Sequence, residues 1–425
     1  MKGLKLSLVI MAAALLTIGL SGMAYAFHSG GVAECEGCHS MHAPKAGGSF
    51  LMVGTDQSST CLTCHEHAGD TGPSSYHVST PGGEITAATP PKQRTPGGDF
   101  GWLKKNYTDA SGTNTYSEDG STHGHNVVAA DFGYIADPTN TAAPGGTFPS
   151  AQLGCQTCHD PHGQFRRLQS GAIAKTGAPI KASGSYNGAS NEPTATEAVG
   201  VYRLLAGFGY AKNGIIFNGV PAAKAPSTYN QAEATATAQV RVAYGVSTAS
   251  GHVTWGQWCA TCHTGMHSTG NYVHPVDGGL GSTIAGLYGQ YVKSGDMTGS
   301  AATSFSSLVP FATNSGDYTV LAPLASNTGT SLAGPGSSDQ VTCMSCHRAH
   351  ASGNMHALRY DNGYEFTTVN GEYVAIGNGS VTGSRAALQR RGRTIADWQA
   401  TYYDRPATQF ATYQRVLCNK CHAKD

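Results

Sequence analysis

The chain has 425 residues, with 26 basic and 26 acidic side chains, 18 histidines, 12 cysteines and 56 glycines. Formal neutrality excludes the basic footprint of a nucleic-acid-binding protein. Charged residues at 12% and abundant glycine leave few aliphatic runs for a conventional core, so cohesion has to come from elsewhere.

Lys2 and Lys5 precede an apolar run from Leu6 to Leu20, and Ala24-Tyr25-Ala26 forms an A-x-A cleavage site. Residues 1–26 therefore read as a secretory signal peptide cleaved after Ala26, and residues 27–425 as a single exported domain. No cysteine stands at the cleavage point for lipidation, and no later stretch is apolar for long enough to span a bilayer. Removing Lys2 and Lys5 leaves two fewer basic than acidic side chains, and carboxylate-bearing cofactors would make the mature protein more acidic.

All twelve cysteines fall in one five-residue word, Cys-x-x-Cys-His. Its six copies pair Cys35 with Cys38, Cys61 with Cys64, Cys155 with Cys158, Cys259 with Cys262, Cys343 with Cys346 and Cys418 with Cys421. Two thiols three positions apart can add to the vinyl groups of one porphyrin, and the following imidazole then sits beneath the iron. Disulfides do not require a histidine after each second cysteine, and zinc knuckles have no use for one. The reading is six covalent c-type haems, with His39, His65, His159, His263, His347 and His422 as proximal ligands. The haems form the core, and the polypeptide wraps them in a mostly irregular shell with short α and 3-10 helices and very few strands. Binding free energy then becomes folding free energy, so the apoprotein is expected to be largely unfolded.

The words recur without a fixed period, separated by stretches rich in Gly, Ser, Thr, Ala and Pro such as Thr80–Pro91, Thr139–Pro149 and Ser326–Ser338. These read as surface loops. Two segments have helical periodicity. Ser282–Ser294 places Ile284, Leu287, Tyr288 and Tyr291 on one face behind a Ser cap. Thr394–Tyr403 does so with Ile395, Trp398 and Tyr402, and Asp397 completes a capping box with Thr394.

Twelve histidines remain for the six distal positions, an excess that points to bis-histidine iron throughout. Methionine ligation would raise the potential, but no methionine is needed to fill a position. Irons with both axial sites filled are closed to substrate and can only pass electrons, so the chain does not read as an enzyme. His42, His162 and His350 each lie three residues after a proximal histidine, about one helical turn on, and can reach a different iron. That would tie one attachment segment to a neighbouring haem and hold two porphyrins close for tunnelling. His28, His77, His125 and His274 stand in ordered-looking loops and complete a set of seven candidates for six sites. His67 and His267 fit less well, and His123, His252 and His356 read as bystanders.

Beyond the words, the segments Phe27–Ala33, Gly72–His77, Thr95–Trp102, Gly124-His125-Asn126, Cys158–Gly163, Cys346–Gly353 and Tyr413–Asp425 carry a resemblance over Phe27–Asp425. The mature chain resembles the outer-surface hexahaem cytochromes that polymerise into extracellular nanowires. The resemblance implies bis-histidine haems in one continuous stack, alternately parallel and T-shaped, and a histidine at the position of His42 that ligates a haem of the adjacent subunit. His123, His252 and His356 have no counterparts in it. It also implies electron donors in the periplasm or outer membrane and extracellular acceptors such as metal oxides. Cys35 lies nine residues into the mature chain and His422 three from its end, so haems at both ends could meet across a subunit contact. Two rival readings are a monomeric periplasmic or surface electron carrier, and a multihaem reductase with one open iron acting on a small oxyanion.

Overall fold

Cys-x-x-Cys spans one helical turn, and most of the regular structure is built at that scale. The computed structural model describes residues 35–47, 50–174, 180–182, 192–228, 230–233, 235, 237–249, 251–267 and 274–422. The signal segment and His28 lie outside the described residues. Four words form a single turn: α1 (Cys35–Cys38), α3 (Cys155–Cys158), α7 (Cys343–Cys346) and α10 (Asn419–His422). The second word closes a longer helix, α2 (Gln57–His65), capped by Asp56, whose carboxylate accepts from Ser59 N at 2.8 Å. The fourth begins in α4 (Trp255–Ala260), behind a capping box between Thr254 and Gln257.

The remaining helices are α5 (Gly281–Gln290), α6 (Tyr318–Leu321), α8 (Ala386–Arg390) and α9 (Ile395–Thr401). In α9 the expected capping box is present, with Asp397 N donating to Thr394 Oγ1 at 3.2 Å and Thr394 N to Asp397 Oδ2 at 2.9 Å. Trp398 and Tyr402 are buried, but Ile395 is 44% exposed, because the stripe turns away from the core at the first residue. α5 departs further from the sequence reading. It starts after Leu280 without a side-chain cap, so Ser282 lies inside the helix, and it ends at Gln290 with Tyr291 as the extended residue beyond it. Tyr288 and Tyr291 are buried as expected.

Strands are short and scattered. The longest pair is the antiparallel hairpin of Tyr107–Ser111 and Asn114–Glu118. A four-stranded patch runs in the order Ile173–Ala174, Arg166–Arg167, Ala198–Gly200, Ile180–Ala182, and a three-stranded patch joins Ala312–Thr313, Ala243–Gly245 and Ala223–Lys224. Apolar packing sets large aromatic rings among small aliphatic side chains. One cluster gathers Phe165, Tyr202, Tyr244 and Trp255, and another Tyr288, Phe311, Tyr373, Trp398 and Tyr402. In the second, Tyr373 and Tyr402 stack 5.8 Å apart at 4°, and the Trp398 indole donates to Val374 O at 2.7 Å. These rings are large enough to bind loops to one another where aliphatic stripes are missing. No described helix is long and apolar enough to cross a membrane.

Thr394→Ala should lower stability by about 1 kcal/mol through loss of the cap, read as a lower denaturant midpoint for the haem-loaded protein.

Candidate haem centres

A histidine can bind iron through Nε2 only if that nitrogen keeps its lone pair, and the partner of Nδ1 decides whether it does. A carbonyl can only accept, so a carbonyl at Nδ1 places the ring proton there and leaves Nε2 free to ligate. Five of the six proximal histidines are held in this way. Their Nδ1 atoms face Phe50 O (His39, 2.9 Å), Tyr76 O (His65, 3.1 Å), Arg203 O (His159, 2.8 Å), Pro144 O (His263, 2.9 Å) and His356 O (His347, 2.8 Å).

The first, third and fifth words share one local construction, and they are the three followed by a histidine at the third position. A strap crosses each word from later in the chain, 11, 44 and 9 residues beyond the proximal histidine. The residue after the proximal histidine donates to the strap: Ser40 N to Leu51 O, Asp160 N to Leu204 O, and Arg348 N to Ala357 O, at 2.7, 2.7 and 2.8 Å. The strap returns the bond to the second cysteine, through Val53 N to Cys38 O, Ala206 N to Cys158 O and Arg359 N to Cys346 O. In each strap two consecutive non-glycine residues are left-handed: Phe50 and Leu51, Arg203 and Leu204, His356 and Ala357, with φ between 48° and 60°. Such residues cost on the order of 1–3 kcal/mol each and persist where the surroundings over-determine them. Here the left-handed turn aims the carbonyl of its first residue at the proximal imidazole.

Three distal candidates face a proximal ring. His125 and His263 have ring centroids 6.0 Å apart, His159 and His350 6.4 Å, and His274 and His422 6.0 Å. These separations admit one metal atom bonded at roughly 2 Å to the facing nitrogen of each ring. His125 Nδ1 is itself held by Ala349 O at 2.7 Å. Burial pushes His125 down to about 4 and His350 down to about 3, keeping both neutral as ligation requires. His350 stacks on Phe100 at 4.5 Å and is packed between backbone segments. A Cβ on Gly97 would touch its ring at 3.0 Å, and one on Gly98, where φ is +92°, would lie 1.8 Å from Ala351 O.

His42 and His162 are exposed, and His162 N donates to Asp160 Oδ1 at 3.0 Å. His77 is buried, with Nδ1 between Ser75 Oγ (3.0 Å) and Asp70 Oδ2 (3.2 Å) and its ring stacked on His67 at 4.8 Å. Three further histidines are turned to protein acceptors. His123 uses both ring nitrogens, and Nε2 of His252 and His267 is taken by Gly171 O and Asp277. The strap carbonyls escaped sequence reading because a backbone acceptor leaves no residue signature, and their left-handed pairs lack the glycine or asparagine that would have marked them.

No described cysteine is in a disulfide, and the cysteines of successive words neighbour one another in chain order. Cys38 interacts with Cys64, Cys61 with Cys155, Cys158 with Cys262, Cys259 with Cys343, and Cys421 with Cys346. Beside the fifth word, Arg94, Arg348 and Arg359 line a cavity of about 20 Å³ together with Glu233 and Tyr403. Arg348 is buried with its guanidinium 3.7 Å from the centre of the Tyr403 ring, and burial pushes it down to about 10.

Paired thiols, tautomer-fixed proximal imidazoles and facing second imidazoles define a multihaem c-type cytochrome. No family model matches the chain. It is 50% identical, over the full length of both proteins, to the C-type cytochrome OmcS of Geobacter sulfurreducens. Two solved structures of OmcS filaments from that organism, one described as nanowires, superpose with a TM-score of 0.81. They are 48% and 47% identical, and each match covers 94% of this chain and 100% of the other. The chain belongs to the OmcS family of c-type cytochromes.

Gly98→Ala should cost about 1–3 kcal/mol, because the added methyl collides with Ala351 O beside His350. A lower thermal midpoint of the loaded protein would register it.

Proposed function

We propose that this chain binds six covalent c-type haems, each iron held by two histidines, and conducts electrons along them in the order of the words. The facing imidazole pairs carry the reading. An iron between two imidazoles has no open position, so the haem's contribution is one-electron exchange and no substrate chemistry is assigned. The residues hold each iron in place: the Nδ1 bonds fix the tautomers, and the straps and loops bring successive words side by side. The buried guanidiniums beside the fifth word supply counter-charge for haem propionates.

The three visible pairs follow a rule that extends to the rest. His350, three residues after the fifth proximal histidine, serves the third word. By the same step His162 serves the first. His42 would then serve the fifth word of an adjoining copy. His274 precedes the fifth word and serves the sixth, and His125 precedes the third and serves the fourth. His28, which precedes the first word, would accordingly serve the second. This uses six of the seven candidates and assigns His77 no iron.

The filament structures of its relatives, the exposure of His42 and the rule itself support assembly into a homopolymer. A signal peptide cleaved after Ala26 fits export to the outer surface. There the filament would take electrons from periplasmic or outer-membrane donors and deliver them to extracellular acceptors such as metal oxides.

Mass spectrometry of the mature protein should find six covalent haems. His42→Ala should abolish filaments or shorten them several-fold in negative-stain micrographs, and intact filaments would remove His42 from the contact. His77→Ala should keep six low-spin irons while His28→Ala turns one high-spin; the reverse result would exchange their roles.

A further inference from the structure

His123 is fully buried, two residues before the distal candidate His125. Its Nδ1 faces Trp102 O at 3.0 Å and its Nε2 faces Glu118 Oε1 at 2.6 Å, so neither nitrogen is available to iron. The Glu118 carboxylate is pinned in turn by Arg391 at 3.1 Å, and by Arg393 and Tyr116. Arg391 and Arg393 belong to the segment between α8 and α9, and Glu118 ends the hairpin. The ring is therefore fastened to two parts of the fold directly and, through Glu118, to a third.

The backbone beside that ring holds two distal histidines together. Ser352 N donates to His123 O at 3.1 Å, and His125 N donates to His350 O at 2.9 Å. Gly124 forms an antiparallel bridge with Ala351, and a Cβ on Gly124 would lie 2.2 Å from His350 O. From the other side His350 N donates to Gly97 O at 2.8 Å. His125 Nδ1 is held by Ala349 O, in the same short segment as His350. The two imidazoles that face His263 and His159 thus stand on adjacent, cross-bonded strands of backbone, with His123 as the side chain anchoring them to the body of the protein.

We infer that His123 is a positioning residue that sets the orientation of both distal ligands, His125 and His350, and so couples the third and fourth haems. This rests on the reading of those two histidines as ligands. Outer-shell groups orient metal-bound imidazoles and tune the metal. Among the levers on a haem's potential, hydrogen bonding beyond the ligands is the one available here. His123 reaches two irons at once because its carbonyl and the following two residues are shared between the two ligand-bearing segments. The role is distinct from ligation, and a single substitution should act on a pair of haems and leave the other four alone.

The test is electron paramagnetic resonance and redox titration of the haem-loaded protein. His125→Ala and His350→Ala should each turn one iron high-spin, which identifies the two signals concerned; six unchanged low-spin irons would refute the ligand reading. With those signals identified, His123→Leu should displace both, and shift the midpoints of the same two haems, with the other four unchanged. Unaltered signals in His123→Leu, or an equal change in all six, would overturn the positioning role even if the melting temperature falls. If His123→Leu does not fold, His123→Gln, which keeps a donor for one of the two acceptors, should move the same two signals by a smaller amount; a folded Gln variant with wild-type signals would also overturn it.

Discussion

The hydrogen bond from a proximal imidazole to a backbone carbonyl is the interaction on which the rest of the structure depends. It places the ring proton on Nδ1 and leaves Nε2 for iron. Five widely separated stretches of chain supply that carbonyl, at Phe50, Tyr76, Pro144, Arg203 and His356. Each bond crosses from a haem word to a loop, and in the first, third and fifth words the same strap then binds backbone on both sides of the histidine. The bonds that prepare the iron sites also join the loops to one another, which is how a chain with little regular structure acquires a defined shape.

The straps show what that preparation costs and how it is offset. Two left-handed non-glycine residues in succession are unfavourable by themselves. They are retained at Phe50 and Leu51, Arg203 and Leu204, and His356 and Ala357, where the turn delivers a carbonyl to the imidazole and an amide to the second cysteine. Recurrence at alternate words organises the chain in units of two words. His350, three residues after the proximal histidine of the fifth word, faces His159 of the third and so ties one unit to the one before it. Under the proposed ligation, the same tie at the first word would leave the molecule, and the construction that orders haems within one subunit would also provide for the next.

The class of protein and the α9 capping box were legible in the sequence because each depends on side chains at fixed spacing, and the sparse regular structure was legible in the abundance of glycine and the scarcity of aliphatic runs. The limits of α5 were not. Its apolar stripe continues past Gln290, but the backbone turns extended at Tyr291, and no side-chain cap marks its start. Ile395 continues the stripe of Trp398 and Tyr402 in sequence yet faces outward. The straps left no trace, since their chemistry lies in carbonyls. His123 shows the sharpest gap between sequence and structure. A histidine in a polar, glycine-containing stretch reads as a solvated bystander, whereas the fold buries it between Trp102 O and Glu118. Only the remote contacts with the hairpin and with Arg391 and Arg393 reveal that environment.

Every iron is proposed to be closed by two histidines, and that of the fifth word by His42 of a second copy of the chain. Counting high-spin iron by electron paramagnetic resonance, in assembled filaments and in dissociated subunits of the same preparation, tests it most directly. The account predicts no high-spin iron in the filament and one high-spin iron per dissociated subunit, at the fifth word. An equal high-spin count in both states would contradict it.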